Sequence, residues 1–282
     1  MSDYRYRILN VFALDRDKLS GNPLCVFEDG RGLDDATMQA LALQFNLSET
    51  TFIFPSDKAT AHARIFTPTF EMPFAGHPTL GTAHVVRTLT QCGDRVTLDL
   101  KAGVIPVDAA GDTWTLRANP PRWRAADAHR EQLAEMLGIE AADVGDKPLW
   151  VDTGSEQLVI PLATATAVDR CVPVQSLLIR YGRINDARYL AYVWAPVSDT
   201  EIRARFFFAK GSAIAEDPAT GSACANLGGW FIATGAKLPV SVRVRQGDAV
   251  GRPSSLGLHV DSQKQIYVSG EVVELGGGTV SL

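Results

Sequence analysis

Two copies of one short motif carry residue types that can hold an anionic ligand. The first copy, EMPFAGH, spans residues 71–77, and the second, EDPATGS, spans residues 216–222, which lie 145 positions further along. Each copy follows a strand-like segment and precedes a run of small residues typical of a helix. A helix that begins at a glycine turn presents free backbone N–H groups and the positive end of its dipole to a bound anion. The candidate substrate-binding residues are therefore Gly76, His77, Gly221 and Ser222.

Three side chains in or near these motifs could transfer protons: Glu49, His77 and Asp217. Glu49 lies between an amphipathic segment and the apolar run 51–54, and apolar surroundings can raise the pKa of a carboxyl toward neutrality. Asp217 precedes a proline at a predicted helix start, so capping of the helix and catalysis are both open interpretations. A glycine turn is also common without a ligand, and it is the occurrence of two such turns that indicates a site.

Strand-like segments rich in Val, Ile, Phe and Thr recur along the chain and outnumber the helices. They lie at 5–12, 51–54, 61–67, 95–100, 113–118, 157–162, 188–195, 202–208, 241–245 and 265–275. Helices are predicted at 34–45, at 127–137 between Asp127 and Gly138, and at about 78–90 and 222–233. Many strands with few helices indicate an α+β or barrel-like architecture.

The repeated motif and the length of 282 residues predict two domains, since one hydrophobic core rarely serves so long a chain. Both motif copies follow similar strands, RIFT at 64–67 and RFFF at 205–208. A break is expected near Asn119-Pro120-Pro121, which gives domains of 1–118 and 119–271. A weaker similarity pairs Ser48–Ile53 with Ser155–Ile160, although its spacing to the main motif differs between the halves.

Composition and charge narrow the class of protein. The net charge is −5, and lysine and arginine are scattered, so nucleic acid is not an expected partner. The start of the chain has no apolar segment typical of a signal peptide, and no membrane span is expected, which favours the cytoplasm. The four cysteines lack the spacing of a metal site or a disulfide framework; they are Cys25, Cys92, Cys171 and Cys224.

Five strings together resemble the PhzF-like family of isomerases, whose fold is related to that of diaminopimelate epimerase. They are SGNPLCVF (20–27), NLSETTF (46–52), FTP (66–68), PFAGHPTLG (73–81) and EDPATGSA (216–223). The resemblance implies two similar domains, each a curled, mostly antiparallel sheet around a central helix, with the active site in the cleft between them. It also implies that a C-terminal strand, about 272–282, completes the first domain, and that the chain forms a homodimer.

The same resemblance implies roles for individual residues. Glu49 matches the proton-shuttling glutamate, and Asp217 matches an acidic partner near the substrate's amino group. His77 and Ser222, with the amides of Gly76 and Gly221, match the groups that hold a small carboxylate substrate. No metal and no cofactor are implied, since the reaction needs one positioned carboxyl as general acid and base.

The motifs depart from the epimerase branch, in which a thiol stands at each helix end. The corresponding tripeptides here are Ala-Gly-His and Thr-Gly-Ser, and Cys224 lies two residues beyond Ser222. Two-thiol racemisation is therefore disfavoured. Two alternatives remain open: an amino-acid racemase or epimerase in which His77 or Asp217 supplies the opposite base, and a non-catalytic binding protein on the same fold.

Overall fold

The structure, a computed structural model, describes residues 2–282. Strands dominate it, and the expected α+β fold class is confirmed. The chain forms two compact units: the first contains the residues up to Arg117 together with Ser269–Leu282, and the second contains Ala118–Val268. No helix within residues 2–282 is long and apolar enough to cross a membrane.

The first unit is built mainly from strands that precede and follow two helices. Its elements in chain order are β1 (Asp3–Ala13), β2 (Asn22–Phe27), α1 (Asp35–Phe45), β3 (Glu49–Phe54), β4 (Ala61–Phe66), β5 (Glu71–Met72), α2 (Gly76–Thr90), β6 (Arg95–Leu100), β7 (Gly103–Ala110) and β8 (Thr113–Arg117). The predicted helix at 34–45 is confirmed as α1, and the Asp34 side chain accepts a hydrogen bond from Thr37 N at 2.8 Å as its cap.

Helix α2 lies at the centre of the first unit. Its residues from His77 to Ala83 are all buried, and it packs against β1, β2, β3, β4, β6, β7 and β8. Gly81 permits this close packing, because a Cβ there would lie 2.5 Å from Leu24 Cδ2 and 3.0 Å from Val11 Cγ2. The sheet of this unit therefore wraps a buried helix, whose first residues carry the motif.

The second unit repeats this plan with additional short helices. Its elements are β9 (Arg122–Ala125), α3 (Arg130–Leu137), β10 (Leu149–Asp152), β11 (Gln157–Pro161), α4 (Ala165–Arg170), α5 (Gln175–Tyr181), β12 (Arg183–Asn185), β13 (Arg188–Pro196), β14 (Glu201–Lys210), β15 (Ala213–Asp217), α6 (Gly221–Thr234), β16 (Val240–Gln246) and β17 (Ser254–Val260). The last strand, β18 (Ile266–Ser281), pairs antiparallel with β1 from Ala13↔Glu271 to Asp3↔Ser281.

One predicted helix start was wrong. Helix α3 begins at Arg130 with His129 as its N-cap, whereas the sequence suggested a start at Asp127. The His129 backbone N–H donates to Gln132 Oε1 at 2.9 Å, and this local pairing sets the boundary. The predicted stop at Gly138 is confirmed, since that glycine has a left-handed φ of 70°.

Strand pairing repeats between the two units. In the first, β2 runs parallel to β3, β3 antiparallel to β4, β4 antiparallel to β5, and β4 parallel to β6, which pairs antiparallel with β7. In the second, β11, β13, β14, β15, β16 and β17 show the same pattern in the same order. Helices α2 and α6 follow equivalent strands, so the duplication read from the motif extends to the topology.

Candidate active site

The start of α2 is held by an arginine–glutamate pair. Arg64 on β4 donates from Nε to Glu71 Oε1 at 2.7 Å and from Nη2 to Glu71 Oε2 at 2.9 Å. The pair lowers the pKa of Glu71 through the hydrogen bonds from Arg64, against a smaller effect of burial. The guanidinium also lies 5.0 Å from the centre of the Phe66 ring. Glu71 therefore fixes the turn that leads to Gly76.

The start of α6 is held in the same way. Arg205 on β14 donates from Nε to Glu216 Oε1 at 3.1 Å and from Nη2 to Glu216 Oε2 at 2.7 Å. Its guanidinium lies 4.6 Å from the centre of the Phe207 ring. The sequence analysis assigned no role to these two arginines. The available signal was an arginine two positions before a phenylalanine in each strand, followed by the glutamate of the motif with which the arginine pairs.

Glu49 and His77 meet in the first unit. Glu49 begins β3 and His77 is the second residue of α2, and His77 Nε2 lies 3.3 Å from Glu49 Oε2. The His77 side chain is 7% exposed and the Glu49 side chain is 15% exposed. The contact is therefore largely screened from water, while Glu49 keeps an accessible face. The structure thus brings together two of the three candidate catalytic residues, with Gly76 beside them.

His77 is neutral at physiological pH. Burial lowers the pKa of its imidazole to about 3, and a hydrogen bond to the backbone of Pro23 opposes this only partly. Proline has no backbone N–H, so the acceptor is its carbonyl oxygen and the imidazole donates. Since Nε2 faces Glu49, the donor is Nδ1, and Nε2 presents a lone pair to the carboxyl group. A single proton between Glu49 Oε2 and His77 Nε2 would give these two atoms a hydrogen bond.

Asp217 lies in the second unit at the end of β15 and does not serve as the N-cap of α6, which is Thr220. The Thr220 hydroxyl donates to Asp217 Oδ2 at 2.5 Å. Gln246 Nε2 donates to the Asp217 carbonyl oxygen at 2.7 Å and to Thr220 Oγ1 at 3.0 Å. These bonds fix the carboxylate at the helix start, where it can accept a hydrogen bond from a cationic or N–H group.

Ser222 is the second residue of α6, as His77 is of α2. Its Oγ accepts a hydrogen bond from Gln157 Nε2 at 2.9 Å, and Gln157 begins β11. The structure therefore brings Asp217, Gly221 and Ser222 to one helix end, just as it brings Glu49, Gly76 and His77 together in the other unit.

Pair register shows that Glu49 has an apolar counterpart in the second unit. Phe52 pairs with Arg64 on β3–β4, and Val193 pairs with Arg205 on β13–β14. Glu49 lies three residues before Phe52, and Leu190 lies three residues before Val193, so the two positions are equivalent. The weaker sequence similarity, which matched Ser48–Ile53 with Ser155–Ile160, was wrong because its second member leads into β11, the equivalent of β2.

Cys224 lies within α6, and its thiol is fully buried, which raises its pKa well above the usual range. A thiolate at this position would be strongly disfavoured. Among residues 2–282, no group of three or more His, Cys, Asp or Glu side chains is placed to hold a metal ion.

A cavity of about 260 Å³ in the first unit lies away from Glu49, Gly76 and His77. Its lining includes Arg64, Glu71 and Lys101, and these charges already pair with one another, with Lys101 Nζ 3.8 Å from Glu71 Oε2. The cavity therefore adds nothing to the site.

Comparison with known proteins identifies the family. The family profile described as "Phenazine biosynthesis-like protein" (PhzC-PhzF) matches residues 9–278. The chain belongs to this family. An uncharacterized isomerase of Pasteurella multocida is 37% identical over 282 residues, which cover 99% of this chain and 94% of the relative. The trans-2,3-dihydro-3-hydroxyanthranilate isomerase of Pseudomonas fluorescens is 31% identical, with coverage of 99% and 100%.

A solved structure supports the same assignment of the fold. The PhzF-family phenazine biosynthesis protein of Bacillus anthracis superposes with a TM-score of 0.86 at 23% identity, and each chain is covered completely. The resemblance read from the five strings is confirmed, and so is the expectation that this PhzF-family chain is an isomerase.

Proposed function

We propose that this PhzF-family chain is a cofactor-independent isomerase that moves one proton on a small carboxylate substrate, with Glu49 as general acid and base. The observation that carries the proposal is the 3.3 Å contact between Glu49 Oε2 and Nε2 of a buried, neutral His77. General acid–base catalysis requires a side chain that lies within hydrogen-bond reach of the reacting atom and can both take and give a proton.

His77 Nε2 offers an acceptor to the proton that Glu49 carries during the transfer. Because Nδ1 donates to Pro23, the Nε2 lone pair faces the carboxyl group, and a carboxylate there would place two lone pairs against each other. A protonated Glu49 instead donates to Nε2 or to the substrate. Glu49 takes a proton from one carbon of the substrate and returns a proton to another carbon, so the enzyme ends in the protonation state in which it began.

Each helix start, taken by itself, supports an anion as a bound group. Backbone N–H groups at the start of a helix suit an anion, and in the second unit the Ser222 hydroxyl can also donate to it, while the Asp217 carboxylate suits an amino group. The name of the Pseudomonas fluorescens relative specifies a dihydro-hydroxyanthranilate, which carries both groups. We propose an amino-carboxylate of this size and chemistry as the substrate class.

A racemase with two opposed bases is less well supported. Leu190 occupies the position in the second unit that Glu49 occupies in the first, so the duplication does not supply a second carboxyl there. His77 is committed to Pro23 and Glu49, and Asp217 is held as an acceptor by Thr220. A single acid–base group, Glu49, fits a shift of one proton better than removal and return on opposite faces.

The test is deuterium incorporation from D₂O, followed by NMR over a panel of cyclic and linear amino-carboxylates that includes trans-2,3-dihydro-3-hydroxyanthranilate. We expect deuterium at one carbon of a cyclic compound, together with a shifted double bond. Incorporation at the α-carbon of a simple amino acid, with loss of optical rotation, would instead support the racemase. No incorporation into any member of the panel would contradict the proposed substrate class.

We also propose the homodimer that family resemblance implies. Sedimentation equilibrium should then give twice the 30.4 kDa mass of the chain. A mass of one chain at micromolar concentration would contradict this part of the proposal.

A further inference from the structure

A buried chain of hydrogen bonds lies behind Ser222. Thr153 donates to Asn226 Oδ1 from its backbone N at 2.9 Å and from its hydroxyl at 2.7 Å. Asn226 Nδ2 donates to Gln157 Oε1 at 2.9 Å, and Gln157 Nε2 donates to Ser222 Oγ at 2.9 Å. Thr153, Gln157 and Asn226 are 8%, 2% and 0% exposed, so water does not compete for these bonds.

The direction of this chain is fixed by backbone groups of known polarity. The Thr153 backbone N–H can only donate, so the atom of Asn226 that faces it must be the amide oxygen. The Ser155 carbonyl can only accept, and it takes a bond from Asn226 Nδ2 at 2.8 Å. The two contacts agree, and the orientation of the Asn226 amide follows from them without any assumption about side-chain flips.

The orientation of the Asn226 amide determines the direction of the hydrogen bond at Ser222. Because Asn226 presents an N–H group, Gln157 must turn its oxygen toward Asn226 and its N–H group toward Ser222. A hydroxyl that accepts from Gln157 keeps its own proton for another acceptor. Within residues 2–282, no second hydrogen bond is formed by the Ser222 hydroxyl.

We propose that Gln157 and Asn226 are positioning residues that fix Ser222 as a hydrogen-bond donor, so that the start of α6 selects a ligand with an anionic acceptor such as a carboxylate oxygen. This inference rests on the proposed function for its ligand class. The polarity itself depends only on the four hydrogen-bonded side chains and on the two backbone groups of Thr153 and Ser155.

Neutron diffraction on the perdeuterated protein tests the polarity without any ligand. We expect two deuterons on the Gln157 nitrogen, one of them directed at Ser222 Oγ, and a Ser222 deuteron directed away from Gln157. A Ser222 deuteron that points at Gln157 would overturn the proposal, whatever the substrate proves to be.

Binding of anthranilate, measured by isothermal titration calorimetry, tests the consequence. Ser222→Ala should weaken binding about tenfold because it removes the donor, and Gln157→Glu should weaken it by a similar factor because the introduced carboxylate captures the Ser222 proton. Gln157→Met should cost less than Gln157→Glu, because the hydroxyl stays free to donate. A merely structural role predicts the reverse order, since glutamate matches the shape of glutamine.

The double variant Gln157→Glu/Ser222→Ala separates the two effects. It should bind no more weakly than Ser222→Ala alone, because the captured proton is already absent. Fully additive losses would overturn the positioning role. If the wild-type protein binds neither anthranilate nor benzoate, the proposed carboxylate substrate is refuted, and so is the proposal that Ser222 selects an anionic acceptor. The deuteron positions would still test the orientation of the Ser222 hydroxyl.

Discussion

Replacing Arg205 with methionine should destabilise the second unit by about 3 to 5 kcal/mol, because it leaves the Glu216 carboxylate buried without its cation. The Glu216 side chain is only 8% exposed, and both of its oxygens accept from Arg205. Arg205 Nη1 also donates to three backbone carbonyls at the end of α4, those of Val168, Asp169 and Cys171, at 3.2, 3.1 and 2.8 Å. Methionine keeps much of the packing volume and removes all six hydrogen bonds that the guanidinium donates.

The equivalent pair of the first unit provides a matched comparison. Glu71 is 21% exposed, and Lys101 lies 3.8 Å away as a second cation, so Arg64→Met should cost about 1 to 2 kcal/mol. Replacing both partners of the buried pair, as Arg205→Met/Glu216→Gln, should recover part of the loss, because no uncompensated charge then remains.

Equilibrium unfolding in urea at pH 7, followed by tryptophan fluorescence, measures these differences. The reasoning is refuted if Arg205→Met costs no more than Arg64→Met, or if Glu216→Gln gives no recovery in the Arg205→Met background. Either result would mean that burial of the carboxylate does not set the energy of the pair.

Three further predictions follow from single sites. The pKa of His77 is about 3 in the fold and 6.5 for a free imidazole, so the unfolded chain binds this proton first as the pH falls from 6.5 toward 3. His77 should therefore contribute a fall in stability of about 1.4 kcal/mol per pH unit within that window, and His77→Gln should remove this contribution. Cys224 is buried and its pKa is raised, so iodoacetamide should label Cys92 but not Cys224 in the folded protein. Cys224→Ala should also retain turnover. Labelling of Cys224, detected by mass spectrometry, would contradict this prediction. Gly247→Ala should destabilise by at least 2 kcal/mol, about twice the effect of Gly235→Ala in urea unfolding, because both have left-handed φ but only the first Cβ would clash with backbone carbonyl oxygens.

Glycine turns in the sequence located two of the helix starts to within two residues, whereas the start of α3 was misplaced. Glycine turns after a strand indicated helices at about 78–90 and 222–233, and the structure begins them at Gly76 and Gly221. The two short helices α4 and α5 were not predicted, since six and seven residues are too few for helical periodicity to emerge.

Pairing between distant strands could not be read from the sequence. The string Ser155-Glu156 looks like Ser48-Glu49, yet it leads into a strand with a different place in the sheet. Register is set by which strands meet across the sheet, and a short similarity does not encode that. The contact of Glu49 with His77 likewise depends on how β3 packs against α2, which motif spacing alone did not show.

The most direct measurement is turnover and deuterium incorporation by Glu49→Gln, with Glu156→Gln as the control, since each glutamate follows a serine at the start of a strand segment. The account predicts that Glu49→Gln loses at least about a hundredfold in rate while it still binds the substrate, because an amide cannot take and return the proton. Glu156→Gln should keep the wild-type rate and incorporation. A Glu49→Gln enzyme that retains full turnover and labelling would contradict the central claim.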